Sequence, residues 1–210
     1  MWALVDDADN VTEIIAHPKS LIIDDIRHPK KIFSAWTDAE KRAIGLYEVT
    51  PASKFDESYY INSNASYAKV GTKVVETITK VADKALADIN EVDENGDPLL
   101  DDDGVQVVTL GLKSNAKNKA TTQSSAFLKG FGWLIQRKVT ASVAIPSAVT
   151  TYMAAIRTDH GNICTALDAA SDMDAFIALH TTTYNEDRTV NVIAKTQSWT
   201  SDTNVKAYRR

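Results

Sequence analysis

Few residues of this chain have the types and spacing that chemistry requires. The acidic run from Asn90 to Gly104 aligns on a calcium loop, with Glu91, Asp93, Asn95, Gly96 and Asp102 at positions 1, 3, 5, 6 and 12. A hard cation wants several oxygens around a sharp glycine turn, which is why this register draws notice. The match fails in its details. Glu replaces Asp at position 1, Asp102 is shorter than the bidentate Glu expected at 12, and Pro98 takes position 8. An exposed acidic hairpin or loop explains the run better, with Asn95-Gly96 as a tight turn. His17-Pro18-Lys19 and His28-Pro29-Lys30 bring two imidazoles near Asp24 and Asp25. A transition-metal site wants three or four donors and supporting partners, and proline at a strand end accounts for both triplets more simply. His160 and Cys164 are i, i+4 on one helix and can touch. That is the spacing of a Cys–His nucleophile pair, but both lie on an apolar stripe, where a free cysteine behaves as a small hydrophobe. The paired carboxylates Asp6-Asp7, Asp24-Asp25 and Asp101-Asp102-Asp103 all fall in expected turns. No GxxxxGK[ST], GxGxxG or HExxH motif is present. The sequence therefore assigns no catalytic, metal or cofactor-binding residue and calls for no cofactor.

The elements that would position these groups form an α+β chain. Trp2–Val5 and the run 11–16 read as a hairpin around Asp6-Asp7-Ala8-Asp9-Asn10, and runs 21–23 and 26–28 flank Asp24-Asp25 as a two-residue loop. Asp tolerates positive φ well enough to make that loop. Thr37-x-x-Glu40 matches a capping box and predicts a short helix over 38–43, which Gly45 stops. Further strands are expected over 46–49, 59–61, 67–70 and 73–79, and a short helix over 83–89. The second half reads as helical. A helix is expected over 112–128, ended by Gly130 and Gly132, then a strand over 133–138. Pro146 sits where a first-turn proline belongs. Val149, Tyr152, Met153, Ile156, His160, Ile163, Cys164 and Leu167 then form one stripe of helical period, predicting a helix over 147–170 in which Gly161 is a point for a kink or break. Ser171-x-x-Asp174 opens a last helix over 172–180, and a strand is expected at 189–195. The expected organisation is a β-rich module over 1–80, an acidic linker or hairpin over 81–104, a helical module with one strand over 105–180, and an extended polar arm over 181–210.

Composition bounds the function. The chain has 210 residues with 28 acids, 23 bases and a single cysteine, so no intrachain disulfide can form. An acidic balance disfavours a general nucleic-acid partner, which needs clustered Lys and Arg. No apolar run reaches the roughly 20 residues of a membrane helix. The first residues lack the basic and apolar regions of a secretion signal, so no membrane partner or export is expected. Charge divides unevenly: residues 1–105 hold 21 acids and 11 bases, net −10, while residues 106–210 hold 7 and 12, net +5. A solvated surface with uneven use of acids explains this first; the functional alternative is a polarity that orients contacts between neighbouring subunits. Among the four tryptophans, Trp2, Trp36 and Trp133 are expected in cores. Trp199 lies in a polar tail and is expected to need a partner. Together with Tyr208, Arg209 and Arg210 of the basic tail, and Asp101, Asp102 and Asp103 of the acidic run, it makes up the candidate partner-binding set.

Two stretches carry a family resemblance. The first runs through Trp2-Ala3-Leu4-Val5, Val11-Thr12-Glu13-Ile14-Ile15, Ile32-Phe33-Ser34-Ala35-Trp36, Ile44-Gly45-Leu46-Tyr47-Glu48-Val49 and Tyr60-Ile61-Asn62. The second runs through Leu112-Lys113, Trp133-Leu134-Ile135-Gln136-Arg137-Lys138, Ile145-Pro146-Ser147 to Tyr152, Ile156-Arg157-Thr158 and Ala166-Leu167-Asp168-Ala169 to Phe176. Together they resemble small tail-associated and tail-fibre assembly proteins of tailed bacteriophages. The resemblance spans most of the chain except the acidic middle and the polar tail, and carries over no functional residue. It implies a non-enzymatic structural protein of the virion, an adaptor or fibre-attachment subunit that contacts other virion proteins and copies of itself. Its location would be the virion tail, reached through the host cytoplasm during assembly. An assembly chaperone absent from the mature particle is the alternative, and a metal-dependent enzyme using the acidic loop is the second alternative.

Overall fold

A computed structural model describes all residues 1–210. The chain is α+β and divides into two units, Met1–Asp83 and Lys84–Arg210. The division falls three residues beyond the expected end of the β-rich module, and the acidic segment belongs to the second unit.

In the first unit β1 (Trp2–Val5) and β2 (Val11–Ile15) form the expected hairpin. β3 (Leu21–Ile23) and β4 (Ile26–His28) form the second, turning on Asp24 and Asp25 at φ 50° and 62°. Ile32–Ala35 is a single helical turn, α1. α2 (Asp38–Arg42) starts on the complete capping box: the Thr37 hydroxyl accepts from the Glu40 amide, and the Glu40 carboxylate accepts from the Thr37 amide at 2.7 Å. Gly45 then turns the chain at φ +73°, where a Cβ would meet the Val5 carbonyl at 2.6 Å. β5 (Leu46–Thr50), β6 (Tyr60–Asn62), β7 (Ser66–Val70), β8 (Lys73–Thr77) and β9 (Lys80–Asp83) complete the unit. The main sheet has the order β2-β1-β5-β8-β7, with β5 and β8 parallel, while β6 pairs with β9. Alternation along the strands serves two cores. Leu46 and Ile15 pack with Leu21, Ile32 and Phe33 on one face, and Ala3, Val5, Val49 and Val74 pack on the other.

The second unit opens without the short helix expected at 83–89; residues 84–88 form an irregular lead into β10 (Ile89–Asn90), which pairs with β11 (Val108–Thr109). α3 (Leu112–Lys129) follows. The segment 133–138 is helical, the inner part of α4 (Gly132–Ala141), rather than a strand. A six-residue apolar-to-basic run fits either period. Helical spacing wins because it drives Phe131 and Leu134 together into the core while the inner backbone groups bond within the segment. α5 (Ser147–Ala169) runs unbroken through Gly161, with Pro146 one residue before its first turn. α6 (Met173–His180) is capped by the Asp172 carboxylate on the Ala175 amide, one position from where the sequence places the cap. β12 (Thr183–Tyr184) and β13 (Val190–Val192) make a small hairpin, shorter than the strand expected at 189–195.

The tail is not an extended arm. Val205 is wholly buried in the core with Phe131, Leu134, Val149, Tyr152, Met153 and Ile156. The expectation failed because the tail's anchors are isolated among polar residues and carry no period.

Candidate functional site

The acidic segment builds the most unusual object in the molecule. Glu91, Leu99 and Val107, eight residues apart, form a closed ring of backbone hydrogen bonds. The Leu99 amide donates to the Glu91 carbonyl at 2.9 Å, the Val107 amide to the Leu99 carbonyl at 2.8 Å, and the Glu91 amide to the Val107 carbonyl at 2.9 Å. Strand pairs obey the same eight-residue step: Val92 opposite Pro98, Leu100 opposite Gln106, and Asn90 opposite Val108. The segment is therefore a triangle of three short strands with approximate threefold symmetry.

Two of its corners are identical turns. Gly96 at φ 88° and Gly104 at φ 76° end three-residue hairpin loops, and the residues that begin them, Asp93 and Asp101, fold their carboxylates back on the loop. Asp93 accepts from the amides of Asn95 and Asp97, and Asp101 from those of Asp103 and Val105. Asp6–Asn10 and Asn185–Thr189 repeat this loop elsewhere, with Asp9 and Arg188 at φ 66° taking the glycine's place. The third corner is where the chain enters and leaves. The Gly111 amide donates to Asp88 at 2.8 Å, the Ser114 hydroxyl adds 2.9 Å, and the Leu112 and Lys113 amides reach the carbonyls of Ala85 and Leu86. On the axis, Gln106 Nε2 lies 2.7, 3.1 and 3.0 Å from the carbonyls of Glu91, Leu99 and Val107, which share its two N–H groups. The repeat Asp-x-x-Gly at 93–96 and 101–104 was the sequence signal for this ring; read as a cation loop, it passes unnoticed.

What the ring lacks is a core. No residue from 89 to 110 is buried, and seven large apolar side chains of this segment are exposed. Strand alternation places Val92, Leu100 and Val108, which the eight-residue step superimposes, on the face that also carries Gln106. They are 57%, 54% and 40% exposed. Three strands without burial are marginal in water.

The candidate partner residues scatter. Asp102 and Asp103 stand exposed at a ring corner, whereas Asp101 is committed to its own turn. The four tail residues are used within the chain. Trp199 packs its ring against Phe127 at 5.3 Å, tilted by 59°, and borders the core. Tyr208 offers its carbonyl to Trp133 Nε1 at 2.9 Å, and its side chain stays exposed. Arg209 pairs with Asp202 at 3.2 Å and donates to the Phe127 carbonyl at 3.1 Å. The Arg210 guanidinium lies 4.0 Å from the Trp133 ring centre, opposite no acid, while its amide donates to Gly130.

The other chemical candidates are tame. Cys164 Sγ lies 3.5 Å from His160 Nε2, which also meets the Thr121 hydroxyl at 3.0 Å. Burial pushes the Cys164 thiol up, and the nearby Lys117 only partly opposes this, so the nucleophilic thiolate is disfavoured. A cleft of about 330 Å³ beside the start of α5 is lined by Ser147, Thr151, Tyr152, Thr200, Ser201, Asn204 and their apolar neighbours, with no carboxylate, imidazole, amine or thiol among them. No group of three or more His, Cys, Asp or Glu is placed to hold a metal ion. No helix is long and apolar enough to cross a membrane. The chain matches no known protein family, no curated protein and no solved structure.

Acid should open the ring at its third corner. The Gly111 amide, then the Ser114 hydroxyl, hold the Asp88 carboxyl below its ordinary value of 3.8. A depressed folded-state pKa stabilises above the unfolded value, and that contribution fades as pH falls through the folded one. The Gly111 amide resonance should therefore titrate with a midpoint below 3.8 in an NMR pH series. A midpoint at or above that value would mean that the Asp88–Gly111 bond does not hold in solution.

Proposed function

We propose that this chain is a non-enzymatic structural protein of a bacteriophage virion, a tail-associated adaptor or fibre-attachment subunit that acts through contacts with other virion proteins and with copies of itself. The observation that carries the reading is the ring of residues 89–110, ordered by backbone hydrogen bonds while its apolar side chains face outward. A protein that works alone gains nothing from such a surface, and one that works in an assembly buries it there. The same pattern recurs in the hairpin β12–β13, where Tyr184, Val190, Val192 and Ile193 are exposed. The two stretches that resemble tail proteins supply the setting. The hydroxyl-lined cleft and the disfavoured Cys164 thiolate add nothing for an enzymatic role.

Mass spectrometry of virions purified from cells in which the phage is assembling tests the reading. The chain should be found at a fixed ratio to tail proteins. Its absence from particles, with abundance in the lysate, would overturn the structural role in favour of the assembly chaperone.

A further inference from the structure

The outward apolar face of the ring needs an occupant, and charge selects it. Residues 89–110 hold seven acids and no base, while residues 111–158, the very next stretch, hold seven bases and no acid. Several of these charges have no counter-ion in the chain: Glu94, Asp97, Asp102 and Asp103 on the ring, and Lys129 and Lys138 near α4, form no ion pair. α4 has its own bare apolar stripe. Ile135 and Val139 lie i, i+4 on the flank of the helix next to the buried Leu134, Lys138 neighbours Ile135 at i, i+3, and Val139 is 78% exposed. Both surfaces thus combine exposed aliphatic side chains with unpaired charge, and the signs are opposite.

We propose that the ring of one copy seats on the α4 stripe of a second copy, with Val92, Leu100 and Val108 against Ile135 and Val139, and the corner carboxylates toward Lys138. This names the partner surface within the contact-based reading above and rests on it. A ring facing another ring would bring eight unpaired acids together, and a stripe facing a stripe would set Lys138 against its copy; like charges disfavour both pairings and opposite charges favour the mixed one. The contact is heterologous. Each copy offers one ring and one stripe, so association continues from copy to copy until it closes into a symmetric ring or grows as a filament. Attraction between exposed charges weakens with salt.

Sedimentation velocity on the full chain tests this. Wild type should associate beyond a dimer at low salt and dissociate as salt rises. Leu100→Asp, which spoils the ring face, and Val139→Asp, which spoils the stripe, should each be monomeric. Mixed, they should form a one-to-one heterodimer that goes no further, since one retains a working stripe and the other a working ring. Asp102→Lys with Asp103→Lys removes corner charge without touching a strand, and should behave as Leu100→Asp does, guarding against loss of ring structure. Self-association of the Val139→Asp variant, or of the Leu100→Asp variant, would show a like-with-like contact and overturn the proposal. So would a wild type that stays monomeric at low salt. The chain's presence in purified virions is a separate result: found there but monomeric in isolation, it keeps its structural role and loses this contact.

Discussion

Replacing Val205 by Asp should cost more than about 4 kcal/mol and unfold the helical unit under conditions where wild type is stable, because a charge would be forced among apolar side chains at a position shielded from solvent. Val205 is 1% exposed, and its neighbours are Phe131, Leu134, Val149, Tyr152, Met153 and Ile156. Denaturant melts of wild type and V205D measure the difference. The same melts on Val205→Ala should show a loss of about 1–3 kcal/mol, the size expected for a truncated aliphatic side chain. Wild type should also resist proteolysis through the tail, since Tyr208, Arg209 and Arg210 hold Trp133, Asp202, Phe127 and Gly130. A free chain clipped quickly after Trp199, with no change in the melt, would mean that the tail is an arm after all.

The second large effect is expected at Gly111. An added Cβ would collide with the backbone of Ala87 and lie 2.6 Å from the Leu86 carbonyl. No side-chain rotation relieves a clash with backbone, so Gly111→Ala should cost at least about 3 kcal/mol locally, the upper end of overpacking. The ring's third corner would open. The amides of Glu91, Leu99 and Val107 should lose their protection from hydrogen exchange, while helicity by circular dichroism stays near wild type, because only the first turn of α3 bonds to this corner. Retained protection at those three amides would show that the ring closes without this corner.

What the sequence discloses follows from how local each feature is. The stripe of α5 and the Thr37–Glu40 box are periodic or adjacent in the chain, and both form as expected. Asp24-Asp25 makes its turn because aspartate accepts positive φ. α4 escaped because its apolar run is too short for period to decide, and only the core that Leu134 joins with Val149, Tyr152, Met153 and Ile156 settles it. The parallel pairing of β5 with β8 joins Val49 to Val74 and leaves no local mark. The ring escaped for a different reason: its closure lies in backbone bonds among Glu91, Leu99 and Val107, whose side chains share no chemistry. Of the candidate contact residues, Asp102 and Asp103 are exposed as expected. Trp199 and Arg209 are instead largely consumed in holding the tail to the helices.

The claim that side chains here are arranged to meet another copy can be put to one direct test. Equal amounts of unlabelled and nitrogen-15-labelled chain would be mixed at low salt, coupled carboxylate to amine with a zero-length reagent, and digested for mass spectrometry. Mixed-isotope links are expected between the Asp102–Asp103 corner and Lys138. Links confined to single-isotope pairs, or mixed links that leave out the ring, would contradict it.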